Sequence, residues 1–155
     1  MTTSPALDIQ LAAMSLGWGN PKGPDFVPFL REVKRARYDG ITGFAAHEDF
    51  GWTWDMLDDA HGFASKLTGE GLALASVDIP LHMVTLDDVR RVCDFMSALD
   101  CDALVGINKW RDRDYGEFAS WLNQIGAIAR EHDIRLYFHN NTAGMGETRA
   151  EVERV

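Results

Sequence analysis

Histidine, tryptophan and polar side chains are concentrated in five short segments, each of which follows an apolar run. The segments are 15–20, 47–52, 78–82, 108–111 and 139–142, and they hold three of the five histidines and three of the five tryptophans. Aromatic rings with a few polar groups suit a polyhydroxylated ligand, because its C–H faces stack on the rings while its hydroxyl groups form hydrogen bonds. These segments are therefore the candidate binding site.

Eight residues of these segments are candidates for the site. His139 is the candidate catalytic residue, and the candidate substrate-binding residues are Trp18, His47, Asp78, His82, Asn108, Lys109 and Asn141. An imidazole at the end of an apolar run can transfer a proton, bind a substrate oxygen or ligate a metal. A lysine such as Lys109 can pair with a substrate anion.

Each candidate also has a structural alternative that the sequence leaves open. His139 and Asp78 could stabilise loops or turns, Lys109 could be an ordinary surface lysine, and the tryptophans could pack beneath loops. His47-Glu48-Asp49 offers metal ligands or a proton shuttle, but it could equally cap the helix that follows. The segment Gly144-Met145-Gly146 could cradle a phosphate on its backbone amides or serve as a flexible connection. We interpret Trp54 and His61 as packing residues on a helix, and His132 as structural.

The elements that position these residues repeat along the chain. Apolar runs start at Ile9, Ile41, Leu72, Ala103 and Ile134, with separations of 32, 31, 31 and 31 residues. Helical patterns fill the gaps, at about 25–37, 53–68, 86–99 and 115–131, and a further one begins before Val155. A strand, a helix and two loops need this length, which favours parallel strands joined by crossover helices. Runs 72–77 and 103–107 are nearly continuously apolar, which is typical of strands covered on both faces.

This repeat predicts one curved parallel sheet with the helices on one side. All the candidate segments then lie at the carboxyl ends of the strands, where parallel α/β folds bind their ligands. Return-loop residues such as Glu70, Asp100 and His132 should lie at the opposite end. The outer edges of the first and fifth strands would stay unpaired, which favours a homo-oligomer.

Composition limits the class of protein. A chain of 155 residues with 46% hydrophobic and 25% charged residues fits a single domain over 1–155. The formal charge of −9 argues against a nucleic-acid or anionic-membrane partner, although one or two local cations could still bind a phosphorylated sugar. We expect Cys93 and Cys101 to be buried free thiols. With neither a signal-peptide pattern nor a membrane span in the sequence, the cytoplasm is the expected location.

The residues resemble the xylose isomerase-like superfamily of TIM barrels. The resemblance rests on the turn Ser15-Leu16-Gly17-Trp18-Gly19-Asn20, on Tyr38-Asp39-Gly40-Ile41, and on the run 136–142 with Gly144, Gly146, Glu147 and Thr148. It implies an α/β fold that is a partial TIM barrel, with about five of eight βα units present and the barrel truncated at the C-terminus.

The resemblance also implies a function. The chain would be the N-terminal part of a sugar or cyclitol isomerase, epimerase or related dehydratase that moves a proton through an enediolate. A divalent ion (Mn, Mg, Co or Zn) is implied as cofactor, with His139 as one ligand and the others beyond Val155. The sequence departs from the family pattern at Thr42, where relatives carry glutamate, and at His139 and Asn141, where branches carry glutamate or a second histidine.

Two other interpretations compete with the enzyme. The chain could be a non-catalytic half-barrel that binds a ligand or needs a complementary half, since its strands offer few acidic metal ligands. A flavodoxin-like domain such as a phospho-receiver would instead need acidic residues after the first strand and a lysine after the fifth, where the chain has Met14-Ser15 and His139-Asn140.

Overall fold

A computed structural model describes residues 10–15, 19, 21–45, 53–111, 114–142 and 144–154. Within these ranges strands and helices alternate. The strands are β1 Ala12–Met14, β2 Gly40–Phe44, β3 Ala73–Pro80, β4 Ala103–Ile107 and β5 Arg135–His139. The helices are α1 Phe26–Arg35, α2 Ala60–Gly69, α3 Leu86–Ser97, α4 Tyr115–Glu131 and α5 Arg149–Val152. Short 3-10 turns at Gly23–Asp25 and Trp54–Met56 precede α1 and α2.

The strands form one parallel sheet in the order β1-β2-β3-β4-β5, which confirms the predicted arrangement. One row of the register runs through Phe44, Asp78, Val105 and Tyr137. The pairing of β2 with β3 shifts after Ile41, so one residue of β3 is left without a partner in β2. Such a bulge bends the sheet and increases its twist.

The helices cover one face of the sheet, as the repeat predicted. Ile41, Val77 and Leu104 are fully buried on that face. On the opposite face Met14 is 36% exposed and Tyr137 is 46% exposed, so in the described part of the chain this second face is open. The prediction that the runs 72–77 and 103–107 are covered on both faces is wrong for Ala73 and Ala75, which are exposed. A flavodoxin-like domain is excluded as well, because it carries helices on both faces.

Aromatic rings join the helices to one another and to the sheet. Phe63 of α2 stacks on Phe26 of α1 at a centroid distance of 5.3 Å and meets the edge of Phe95 of α3 at 5.1 Å. Phe118 of α4 packs edge-to-face on Phe138 of β5 at 5.8 Å. Large rings bury much apolar area per residue, so these contacts fix the positions of successive helices over the sheet.

The second helix starts at Ala60 rather than near residue 53. Thr53 Oγ1 accepts a hydrogen bond of 2.7 Å from the amide of Phe44, which holds residue 53 against the end of β2. Asp59 Oδ1 accepts a bond of 2.9 Å from the amide of Gly62, so Asp59 is the N-cap. The hydrogen bond of Thr53 to β2 and the side-chain cap at Asp59 both compete with a helix that is continuous from residue 53.

The packing face of α2 also differs from the prediction. Phe63 and Leu67 are its buried residues, whereas His61 is exposed. The predicted packing role of His61 is therefore wrong, because the shorter helix turns the Phe63–Leu67 side toward the sheet. Trp54 does pack partly against the core, and the guanidinium of Arg91 lies 4.8 Å from its ring centroid.

Both cysteines are buried and free, as predicted. Burial raises the pKa of Cys93 to about 12 and that of Cys101 to about 11, so both are inert thiols at neutral pH. Among the described helices there is none long and apolar enough to cross a membrane.

Candidate functional site

A cavity of about 530 Å³ lies on the open face of the sheet at the carboxyl ends of the strands. Its volume is in the range of small-molecule sites. The described residues that line it are Met14, Phe44, Pro80, His82, Met83, Ile107, Lys109, His139 and Asn141. Four of the candidate site residues, His82, Lys109, His139 and Asn141, are thus brought together. Trp18 and His47 lie outside the described residues.

The apolar walls of the cavity come from the strands themselves. Met14, Phe44 and Ile107 are each the last residue of a strand, and each lies on the face opposite the helices. Sequence reasoning missed these residues because it searched for polar side chains. The signal that identifies them is strand alternation: side chains at every second position share one face.

His139 is the last residue of β5 and pairs in register with Ile107 of β4. Its imidazole is exposed and borders the cavity, whereas the preceding Phe138 packs on the helix side. Alternation along the strand therefore places the imidazole where a ligand can reach it. Asn141, two residues later, is half-buried and contributes an amide to the same cavity.

His82 is held in a tight turn after β3. The amide of Leu81 donates to the carbonyl of Ile107 at 2.9 Å, and the indole N–H of Trp121 donates to the carbonyl of Leu81 at 3.2 Å. The Nδ1 atom of His82 is buried and has no hydrogen-bond partner among the described residues. Burial lowers the pKa of His82, and the charge of Lys109 lowers it further. At neutral pH the unligated imidazole is mainly uncharged.

Asp78 lies deeper on the same face of the sheet. Its neighbours in register are Phe44 and Val105, it is only 3% exposed, and it does not border the cavity. Burial raises its pKa to about 6. A carboxyl group with such a pKa holds its proton for part of the neutral range, which is a property of acid–base groups.

Asn108 is fully buried and uses its side chain to join two loops. Its Nδ2 donates to the carbonyl of Met145 at 2.9 Å, and its Oδ1 accepts from the amide of Trp110 at 2.9 Å. The amide of Met145 donates in turn to the carbonyl of Trp110 at 2.7 Å. With both ends of the amide engaged, Asn108 is a scaffold for the rim of the cavity rather than one of its lining residues.

The Gly144–Gly146 segment packs closely against the loop that contains Asn108. A Cβ at Gly144 would lie 2.9 Å from the carbonyl oxygen of Asn108, so only glycine allows the loops to approach this closely. The amide of Gly144 donates to the carbonyl of Asn141 at 3.1 Å. Because the amides of residues 144 and 145 are both engaged within the protein, the phosphate cradle is not favoured, and the segment is a close contact between loops rather than a flexible connection.

His132 lies in the turn before β5, at the opposite end of the sheet, and its ring joins two helices. Its Nδ1 is 2.9 Å from the carbonyl of Ile128 and its Nε2 is 3.0 Å from Oδ1 of Asp94. The bond to the carbonyl of Ile128 is the main cause that raises the pKa of His132. This is the structural role that the sequence indicated.

A metal site is not assembled by the part of the chain that the structure describes. In that part no group of three histidine, cysteine or acidic residues is close enough to hold an ion. His139 offers one imidazole, whereas a bound metal ion usually has three or more protein ligands. The described residues therefore do not fit a complete metal site.

Comparisons with known proteins establish the fold. No protein-family model and no curated protein sequence matches the chain. Among solved structures, a sugar phosphate isomerase/epimerase from Parabacteroides distasonis matches with a TM-score of 0.67 and 15% identity, over 92% of this chain and 55% of that one. A D-allulose 3-epimerase from Methylomonas sp. matches with a TM-score of 0.67 and 14% identity, over 95% and 59%. The IolI protein, crystallised with a zinc atom, matches with 0.68 and 12%, over 95% and 58%.

At such low identity these likenesses are evidence for the fold. They match the observed parallel order of five strands with helices on one face. The chain spans between 55% and 59% of the length of these three proteins.

Proposed function

Starting from the fold of the xylose isomerase-like TIM barrels, which this chain adopts over five βα units, we propose that it is part of a sugar or cyclitol isomerase or epimerase, or of a related dehydratase. The observation that carries the proposal is the cavity at the carboxyl ends of the strands, where apolar walls surround His82, His139, Lys109 and Asn141. Structural neighbours support the choice of ligand, since a D-allulose 3-epimerase was crystallised with D-allulose and a D-psicose 3-epimerase with D-fructose.

The residues at the cavity suit proton transfer next to a carbonyl group. The exposed imidazole of His139 can accept or donate a proton, or bind a substrate oxygen. The amide of Asn141 can both donate to and accept from sugar hydroxyl groups. Phe44 and Ile107 exclude water and contact the C–H face of the sugar.

A divalent ion remains part of the proposal only through the family resemblance and the zinc atom of IolI. Such an ion would polarise the carbonyl oxygen of the substrate. His139 is the ligand that the described residues offer, and further ligands would have to come from other residues. We derive no step of the reaction through the ion, because these residues do not assemble its site.

Hydrogen–deuterium exchange tests the function. The protein that contains this chain is incubated in D2O with D-fructose, D-allulose and a ketocyclitol, each in the presence of Mn²⁺, and the substrates are followed by NMR. Removal of a proton next to the carbonyl introduces deuterium at that carbon even when the equilibrium between isomers is unfavourable. No deuterium in any of the three substrates would contradict the enzyme proposal.

A non-catalytic half-barrel is the second candidate. It is favoured by the absence of a three-ligand cluster among the described residues and by the open second face of the sheet. This candidate predicts that sugars bind without exchange. Saturable binding of D-fructose or D-allulose in the calorimeter, with no incorporation of deuterium, would select it.

A further inference from the structure

The described lining residues of the cavity carry a charge opposite to the net charge of the protein. The chain carries 24 acidic and 15 basic residues, a formal charge of −9. The nine described residues that line the cavity include one lysine and two histidines and no aspartate or glutamate. Asp78, which lies on the same face of the sheet, does not border the cavity, and burial raises its pKa to about 6. Lys109 therefore gives the described lining a positive charge, which favours an anionic ligand.

Lys109 has no acidic partner among the described residues, whereas seven described lysines and arginines pair with a carboxylate. Arg31 pairs with Glu70 at 2.9 Å and Arg91 pairs with Asp58 at 2.8 Å, and Lys34 donates to the carbonyl of Gly71 at 2.7 Å. For Lys109 the described residues supply no ion pair and no hydrogen bond of its ammonium group. Its charge is therefore available to a ligand in the cavity.

His82 lines the same cavity as Lys109. Its Nδ1 is buried and unpartnered among the described residues, which is costly for a polar atom. Burial of the His82 ring and the positive charge of Lys109 both lower the pKa of His82. An oxyanion bound beside both groups would favour the protonated form of His82, because it accepts a hydrogen bond from each group and screens one charge from the other.

We propose that Lys109 and His82 form an oxyanion subsite that binds a phosphate or carboxylate group of the substrate. The proposal rests on the proposed function and specifies its substrate class: the sugar or cyclitol carries an anionic group, and its neutral part extends toward His139 and Asn141. The shared chemistry is an oxyanion with at least two acceptor oxygens. A phosphate ester and a sugar acid both have it, and the experiment separates them.

Calorimetric titration of the unmodified protein with three probes tests the subsite. The probes are D-fructose 6-phosphate, D-glucuronate and D-fructose, in one buffer at neutral pH and low ionic strength. We expect at least one anionic probe to bind tenfold or more tightly than D-fructose. Preference for D-fructose 6-phosphate identifies a phosphate site, and preference for D-glucuronate identifies a carboxylate site.

Three variants locate the subsite. Lys109→Met should remove the roughly tenfold advantage of the anionic probe over D-fructose. His82→Gln should reduce the advantage in part, since the amide retains a donor. Lys66→Met is the matched control, because Lys66 is an exposed lysine on α2 and does not border the cavity, so the anion preference should be unchanged.

Two results overturn the proposal, and they are distinguishable from failure of the proposed function. If D-fructose binds and neither anion binds more tightly, the subsite is wrong while the sugar-binding function stands. If Lys109→Met keeps the full anion preference, the anion binds elsewhere and the subsite is again wrong. If none of the three probes binds, both the subsite and the proposed function fail.

Discussion

Two ionisable groups on the open face of the sheet have opposite environments. His139 is exposed at the end of β5, whereas Asp78 is 3% exposed within β3. Solvent access suits His139 to a ligand or a proton that arrives from outside. Burial raises the pKa of Asp78 to about 6. Ionisation of Asp78 therefore lowers the free energy of unfolding. The two residues therefore make different predictions, one about activity and one about folding.

His139→Ala is expected to lower turnover of the protein that contains this chain by about a hundredfold or more while leaving the fold intact. The substitution removes a proton-transfer or positioning group, and such groups typically contribute factors of about 10² to 10⁴. Steady-state kinetics measures the turnover, and circular dichroism checks that the fold is intact. His61→Ala is the control, because His61 is exposed on α2 away from the cavity. Near-normal turnover of His139→Ala would remove His139 from the proposed reaction.

Asp78→Asn is expected to abolish a pH dependence of stability. The pKa of Asp78 is about 6 in the folded protein, above the ordinary value of 3.8, so the folded state binds more protons than the unfolded state between these values and stability falls as pH rises. Relative to the variant, the wild type should lose on the order of 3 kcal/mol of unfolding free energy between about pH 4 and about pH 7. Urea unfolding at a series of pH values measures this difference.

Asp133→Asn is the control for that experiment. Asp133 is exposed in the turn before β5 with a φ of 58°, a conformation that asparagine also tolerates. Its pH profile of stability should follow that of the wild type. A profile of Asp78→Asn that also follows the wild type would contradict the assigned cost of ionising Asp78.

At the scale of elements, two helices carry the same capping box with different packing. In α3, Thr85 Oγ1 accepts from the amide of Asp88 at 3.2 Å and Asp88 Oδ2 accepts from the amide of Thr85 at 2.8 Å. In α5, Thr148 and Glu151 make the equivalent bonds at 3.3 and 2.9 Å. Helix α3 buries five residues, whereas α5 buries none. Of these two capping boxes, only the one of α3 therefore begins a helix that packs in the core.

Thr85→Ala is expected to lower the unfolding free energy by about 1 kcal/mol, and Thr148→Ala by less than about half of that. Loss of the first cap loosens a helix that holds part of the core, whereas loss of the second frays a four-residue helix that has no buried residue. Urea unfolding of both variants measures the difference. Equal effects would show that the packing of α3 does not depend on its cap.

At the scale of the whole molecule, the open face and the free edges of β1 and β5 are the dominant features. The described sheet ends at these two strands, and Met14 and Tyr137 expose apolar surface beside them. Unpaired edges and uncovered apolar faces promote association. This applies to the 155-residue polypeptide by itself.

We predict that this polypeptide self-associates with increasing concentration, and that Tyr137→Lys weakens the association by placing a charge on the open face. Sedimentation velocity over a range of concentrations measures the self-association. Val152→Lys is the control, because Val152 is 43% exposed on α5 rather than on the sheet. A strictly monomeric polypeptide at high concentration, or equal effects of the two substitutions, would contradict the prediction.

The sequence by itself determined the parallel βα order and the end of the sheet at which the described candidate residues lie. These properties follow from spacing: the repeat of about 31 residues sets the crossovers, and the alternation within β5 puts His139 and Phe138 on opposite faces. They are local properties, because they depend on backbone geometry over a few residues. The start of α2 was predicted wrongly because the bond from Phe44 to Thr53 joins separate elements.

Only the tertiary structure decided what each polar residue contacts. Asn108 and Lys109 are neighbours in sequence, yet Asn108 is buried and bonded to Met145, 37 positions away, while Lys109 borders the cavity. The burial that raises the pKa of Asp78 likewise comes from its surroundings rather than from its sequence position. Burial and hydrogen-bond partners depend on residues that are distant along the chain, so spacing alone does not specify them.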